Sequence, residues 1–185
     1  MQTTTISSDI VGSDAGAATD QFLTFMLGAE EFGVDILRVQ EIKGWERATE
    51  LPNTPDYIRG VMNLRGTVVP IVDLRLRFGM ESAEYTNTTV VIVLRIEDEA
   101  TSRTMGFVVD AVSDVYNVAA ADIQPAPDFG ERVHTQAMRG LAVIEDTMLI
   151  LLDIDRLVAL DTAFSAIDGL GATPGHDNLS TETTE

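Results

Sequence analysis

Few residues in this chain are equipped for chemistry. It holds two histidines, His134 and His176, and no cysteine. A lone imidazole beside Thr135 reads as a solvated loop residue, and His176 falls in a polar tail. Asp153-Ile-Asp155 opens like a calcium loop, but the next ligand position and the required glycine are missing. Those carboxylates read as solvated groups at a strand end. The sequence contains no Gly-x-Ser-x-Gly elbow, no His-Glu-x-x-His pair and no phosphate loop. No catalytic residue, metal ligand or cofactor is expected. What stands out is a segment without catalytic logic, Gly60-Val-Met-Asn-Leu-Arg-Gly-Thr-Val-Val-Pro-Ile-Val-Asp-Leu-Arg75. Arg65 precedes Gly66 and an apolar run, which places it at a turn or strand start. A guanidinium displayed there suits planar pairing with a carboxylate on another protein. The plainer alternative is a surface ion pair within the chain, worth ~0–1 kcal/mol.

The elements that must position Arg65 are short strands. The chain has 185 residues, 45% hydrophobic, which suits one or two domains with a real core. Met1 to Asp20 and residues 161–185 are rich in Thr, Ser, Gly and Asp and read as disordered tails, the second acidic. Between them, Phe22 to Leu27 and Phe32 to Ile36 read as a hairpin around Gly28. Leu37 to Lys43 fits a helical turn or an extended segment. Thr67 to Leu74 reads as a strand that Pro70 pushes to an edge or bulge. Thr88 to Ile96, Met105 to Val109 and Met148 to Ile154 are further strands. Pro55 to Leu64, Glu131 to Arg139 and Asp155 to Leu160 are compatible with short helices. Many short strands with Gly and Pro turns point to a mainly β fold of barrels or sandwiches.

Charge narrows the function. Thirty acidic residues against 12 basic ones give −18, a field that repels phosphate and opposes nucleic-acid or anionic-membrane binding. Of the basic residues only Lys43 is lysine, and 17 of the acids are Asp. We read this as the composition of a protein for a high-salt cytoplasm, where a Debye length of about 3 Å at ~1 M salt removes most self-repulsion. An ordinary acidic protein is the alternative. No apolar run reaches the ~18–20 residues of a membrane span, and the N-terminus shows no secretory signal, so the expected location is cytoplasmic. Aromatics at 6% are sparse for a barrel that stacks nucleobases. A small-ligand or oligonucleotide-binding β-barrel is therefore the weaker of two readings, the stronger being an adaptor that binds other proteins.

The chain also repeats itself. At an offset of 73 residues, Gly33, Val39, Glu41 and Ile42 fall on Gly106, Val112, Asp114 and Val115. At an offset of 80, Arg59-Gly60 falls on Arg139-Gly140, Thr67 on Thr147 and Asp73 on Asp153. The halves span about 21–80 and 88–160, and two similar barrels packed together would leave a groove between them. Arg59 is matched by Arg139, so the fold explains it. Arg65 is matched by Glu145, which makes it a candidate for a role that one half alone performs.

That segment, with Gln21-Phe-Leu-Thr-Phe-Met-Leu-Gly, Phe32 to Ile42, Pro52-Asn-Thr-Pro55, Thr89 to Leu94 and Val108 to Val115, resembles the CheW family, the adaptors of bacterial and archaeal chemotaxis. The likeness runs from about Gln21 to Leu160. Asn63-Leu-Arg-Gly66 followed by Pro70-Ile-Val-Asp-Leu-Arg75 is the most specific part. The resemblance implies two packed five-stranded SH3-like β-barrels with short helices and strand exchange between them. It implies a chemotaxis signal-transduction adaptor and no enzyme. The implied partners are the regulatory domain of the histidine kinase CheA and the cytoplasmic tip of methyl-accepting receptors, with no nucleic acid and no membrane insertion. The protein would reach membrane receptor arrays only through those partners. Kinase or receptor contact is then expected at Arg65, Glu41, Val39, Gly60 and Asn63, with Glu41 orienting Arg65. Ile36, Val39, Val112 and Val115 are expected to line the receptor groove, each with barrel core as its competing role.

Overall fold

The computed structural model describes residues 19–97, 102–127 and 133–167. Among the described residues ten strands carry the fold: β1 (Thr19–Leu27), β2 (Glu30–Asp35), β3 (Val39–Gly44), β4 (Ile58–Leu64), β5 (Thr67–Asp73), β6 (Val90–Glu97), β7 (Ser102–Val109), β8 (Ala111–Ala119), β9 (Met138–Ile144) and β10 (Thr147–Leu152). Three short helices follow strand ends or connectors: α1 (Leu74–Arg77), α2 (Val133–Gln136) and α3 (Ile154–Ala159).

The strands form two five-stranded sheets, ordered β8-β1-β2-β10-β9 and β3-β6-β7-β5-β4. Renumbering each half from its own first strand turns one order into the other. The β1–β2 hairpin of the first half thus joins β8, β9 and β10 of the second, while β6–β7 joins β3, β4 and β5. The duplication is preserved to the residue. The parallel pair β2–β10 sets Gly33 against Leu151, and the parallel pair β7–β5 sets Gly106 against Ile71. These are the partners that the offsets of 73 and 80 relate. Neither sheet closes into a barrel, which corrects the expected closed form. The edge of β4 meets the connector before it by a single bridge, Thr49 to Val61, and β9 meets its connector by Gln124 to Leu141. Those connectors carry Pro52, Pro55, Pro125 and Pro127, which have no N–H to extend a ladder.

Burial explains the layering. Along β6, Ile92 and Leu94 join a large core shared by both sheets, while Val91 and Val93 join a small core on the opposite face. Along β1, Leu23 and Phe25 face the shared core and Phe22 faces a third cluster with Leu149 and Leu151. Alternation by twos thus buries both faces, which is why these strands read as continuous apolar runs.

Several local expectations change. Pro55 to Leu64 is not a helix: it turns at Pro55–Ile58 and continues as β4, with Ile58, Gly60 and Met62 buried in alternation. Pro70 is not on an edge strand. It pairs with Val61, and the ladder from β5 to β7 begins one residue later at Ile71, so no sheet bond requires its N–H. His134 lies in α2, not in a loop. The first strand starts at Thr19, inside the expected tail. Beyond Leu160, a 3-10 segment Thr162–Ile167 packs Phe164 and Ile167 into the shared core. Asp161 fixes that segment by accepting from the Tyr57 hydroxyl at 2.5 Å and pairing with Arg77 at 3.1 Å. Burial, then the hydrogen bond to Asp161, pushes the Tyr57 hydroxyl up to about 12. The remainder of both expected tails lies outside the described residues.

The two crossings between sheets are clasped by mirrored charges. At the first, between β2 and β3, Arg38 pairs with Asp155 at 2.7 Å and Glu97 at 3.0 Å. At the second, between β7 and β8, Asp110 pairs with Arg75 at 2.5 Å and accepts the Gly28 N–H at 2.7 Å. Arg75 and Asp155 occupy equivalent places in the two halves, so cation and anion have changed sides. Asp153, meanwhile, caps α3 by accepting from Arg156 N. The two carboxylates of the calcium-like pair are thus engaged within the fold.

Candidate functional site

Arg65 sits at the tip of the β4–β5 hairpin. Leu64 and Thr67 are the last paired residues, so the turn is Arg65-Gly66. Both have positive φ, 53° and 90°, the pattern of a type I′ turn that matches strand twist. Glycine suits the second place, and the hairpin therefore delivers Arg65 to solvent with its side chain 85% exposed. β3 lies at the far edge of the same sheet, beyond β6 and β7, and its Glu41 carboxylate comes within 3.5 Å of the Arg65 guanidinium. The pair borders a depression of about 280 Å³ that Gln40, Leu64 and Thr104 also line. Gln40 accepts a hydrogen bond from Thr104 at 3.1 Å, tying β3 to β7 across this face.

The other sequence-derived positions divide by burial. Ile36, Val39 and Val112 are half-buried and pack against the shared core. These three stand at the margin of the shared core. Val115, on β8, is 41% exposed, as is its first-half equivalent Ile42 at 43%. Gly60 is buried within β4. Its φ is +120° and an added Cβ would lie 2.0 Å from the Thr49 carbonyl oxygen, so its side-chain place is spent on the edge connector. Gly140 fills the same role against Gln124. Asn63 is exposed, and its side-chain oxygen accepts the Gly66 N–H at 2.8 Å.

The equivalent surface on the other sheet has opposite character. Glu145 and Asp146 replace Arg65 and Gly66, again at positive φ, 49° and 66°. Desolvation first, then the charges of Glu31, Asp114 and Glu145, raise the Tyr116 hydroxyl pKa. No cation of the Arg65 kind appears at that turn. Beside it, the cross-strand pair Val143 and Met148 is 62% and 60% exposed. This apolar pair was not singled out by sequence reasoning. Its signal was present: Met148 falls on an outward position of β10 next to inward Leu149.

Known proteins place this geometry. Residues 21–161 match the family model described as the CheW-like domain. The chain is 46% identical over 152 residues to the chemotaxis protein CheW of Klebsiella aerogenes, covering 82% of this chain and 87% of that one. It is 44% identical to the chemotaxis protein CheW of Rhizobium meliloti, over 73% of this chain and 84% of that one. The crystal structure of a scaffolding protein, CheW from Thermoanaerobacter tengcongensis, superposes with a TM-score of 0.68 at 30% identity. That match covers 76% of this chain and 88% of that one.

Proposed function

The chain belongs to the CheW-like domain family, and from that premise we propose that it is the adaptor that couples methyl-accepting chemoreceptors to the histidine kinase CheA and helps to build the receptor array. The observation that carries this reading is the contrast between two equivalent hairpins. One displays Arg65 with Glu41, and the other displays Glu145 and Asp146. A duplicated scaffold with unequal ends is suited to gripping two different proteins.

On this reading Arg65 meets a carboxylate of a partner, and Glu41 limits its range. Glu41 is about one-third exposed and keeps the guanidinium near β3 without neutralising it from all sides. The margin of the shared core, where Ile36, Val39 and Val112 surface, takes the apolar side of a receptor helix, with Val115 at the rim. The regulatory domain of CheA takes the hairpin face. No bond is made or broken. The protein holds kinase and receptor at a fixed separation, so that a change at the receptor tip is felt by the kinase. It works in the cytoplasm and reaches the membrane only through its partners. Among the described residues no helix is long and apolar enough to cross a membrane.

Signalling contacts of this kind bury near or below about 1,200 Å² in total and hold firmly only through multivalent assembly. Sedimentation of the protein with receptor-bearing membranes and full-length CheA tests the reading. The expected result is weak capture by either component alone and strong capture when both are present. Equal sedimentation with membranes that lack receptor contradicts it.

A further inference from the structure

We propose that Asn63 is a positioning residue for Arg65: its side-chain oxygen locks the β4–β5 turn and so fixes where the guanidinium is presented. This rests on the reading of Arg65 as a partner contact. The turn has a problem to solve. An arginine at φ 53° is in the left-handed region, which costs an L side chain about 1 kcal/mol. Type I′ turns favour Asn or Gly at that place for this reason. The Glu41 contact does not hold it there. At 3.5 Å, with Arg65 85% exposed, it acts on the guanidinium end of a long side chain and leaves the backbone dihedrals free.

The Asn63 bond spans the strained residue. Its acceptor lies two positions before Arg65, and its donor is the N–H of Gly66, one position after, at 2.8 Å. Closing that ring holds the Arg65 backbone in the left-handed well whatever its side chain does. The equivalent turn has no such lock. Val143 stands where Asn63 stands and has no acceptor. Asp146 stands where Gly66 stands, at φ 66°. The locked turn is the one that carries the cation. Asn63 therefore acts through Arg65 and not by touching a partner itself.

A double-mutant cycle in the full chain tests this. Affinity for full-length CheA together with receptor membranes is measured for Asn63→Ala, Asn63→Asp, Arg65→Ala and Asn63→Ala/Arg65→Ala. Exchange of the Gly66 amide proton is followed by NMR in each variant. Asn63→Ala should weaken binding about three- to tenfold and speed Gly66 exchange. Asn63→Asp keeps the acceptor and should restore both to within about twofold. The double variant should bind no more weakly than Arg65→Ala alone. Additive losses, or Asn63→Ala binding normally while Arg65→Ala does not, overturn this inference and leave the Arg65 reading standing. Normal binding by Arg65→Ala overturns both.

Discussion

The β4–β5 and β9–β10 hairpins are the same object built twice. Residues 61–69 and 141–149 share one burial pattern position by position. Both turns contain two residues of positive φ, and both strands that follow lead into a helix capped by an aspartate, Asp73 and Asp153. What differs is charge at the tip: Arg65 beside Glu41 on one, Glu145 within an acidic surround on the other. The crossings repeat the lesson, since Arg38–Asp155 and Asp110–Arg75 do equivalent work with signs exchanged. Duplication has kept the backbone and the core, and the side chains at the solvent boundary have diverged. Positions that match between halves should therefore report on folding, and positions that differ should report on partners.

Val112 and Val115, both matched between the halves but one packed on the core and one exposed, give the largest test of which matched positions report on folding. Val112 packs against the shared core, as its equivalent Val39 does. Val112→Asp should lower unfolding free energy by about 2–3 kcal/mol in a urea titration. Val115→Asp, at an exposed site, should stay within about 0.5 kcal/mol of wild type. Equal effects would mean that exposure does not separate core from surface on β8. Next in size is the tip charge. Arg65→Glu makes the two hairpins alike, and kinase activation in a reconstituted receptor assay should fall about tenfold or more with the melting temperature unchanged. Glu145→Arg should not reproduce that loss. Comparable defects from both changes would erase the distinction between the ends.

Smaller effects sharpen the comparison. The charge of −18 should make the fold salt-dependent, with the melting temperature rising by at least about 5 °C between dilute buffer and ~1 M salt. A flat response would mark the composition as ordinary acidity. Last, Asp146→Gly gives the second turn the residue that the first already has. Relief of left-handed strain, partly offset by unfolded-state entropy, should add about 0.5–1 kcal/mol of stability by the same titration. A loss would mean that Asp146 makes a contact worth more than the strain.

Much of this fold was legible in the residues. The offsets of 73 and 80 align Gly33 with Gly106 and Ile71 with Leu151, and those four residues meet in equivalent parallel pairs. The pairing of Arg65 with Glu41 was likewise anticipated from the sequence. The exchange of hairpins could only be allowed for, not placed. Both halves present the same patterned edges, so pairing within a half and pairing across halves bury the same side chains. Only the geometry of the crossings at Ile36–Arg38 and Asp110 decides. β4 falls within Pro55 to Leu64, a stretch whose sequence is compatible with a short helix, and only its pairing with β5 makes it a strand. The requirement for glycine at position 60 comes from the Thr49 carbonyl packed against it, a contact with no signature in local sequence. The depth of Ile36, Val39 and Val112 was also hidden, since an apolar residue at a core margin looks the same in sequence as one in a groove.

On the proposed function, this chain links a kinase to its receptors by contact alone. Full-length CheA mixed with receptor-bearing membranes, with and without the protein, measures it directly as the rate of kinase autophosphorylation before and after receptor ligand is added. The account predicts that receptor ligand changes the rate only when the protein is present, and that Arg65→Glu abolishes this control. A rate that follows receptor ligand equally without the protein would contradict it.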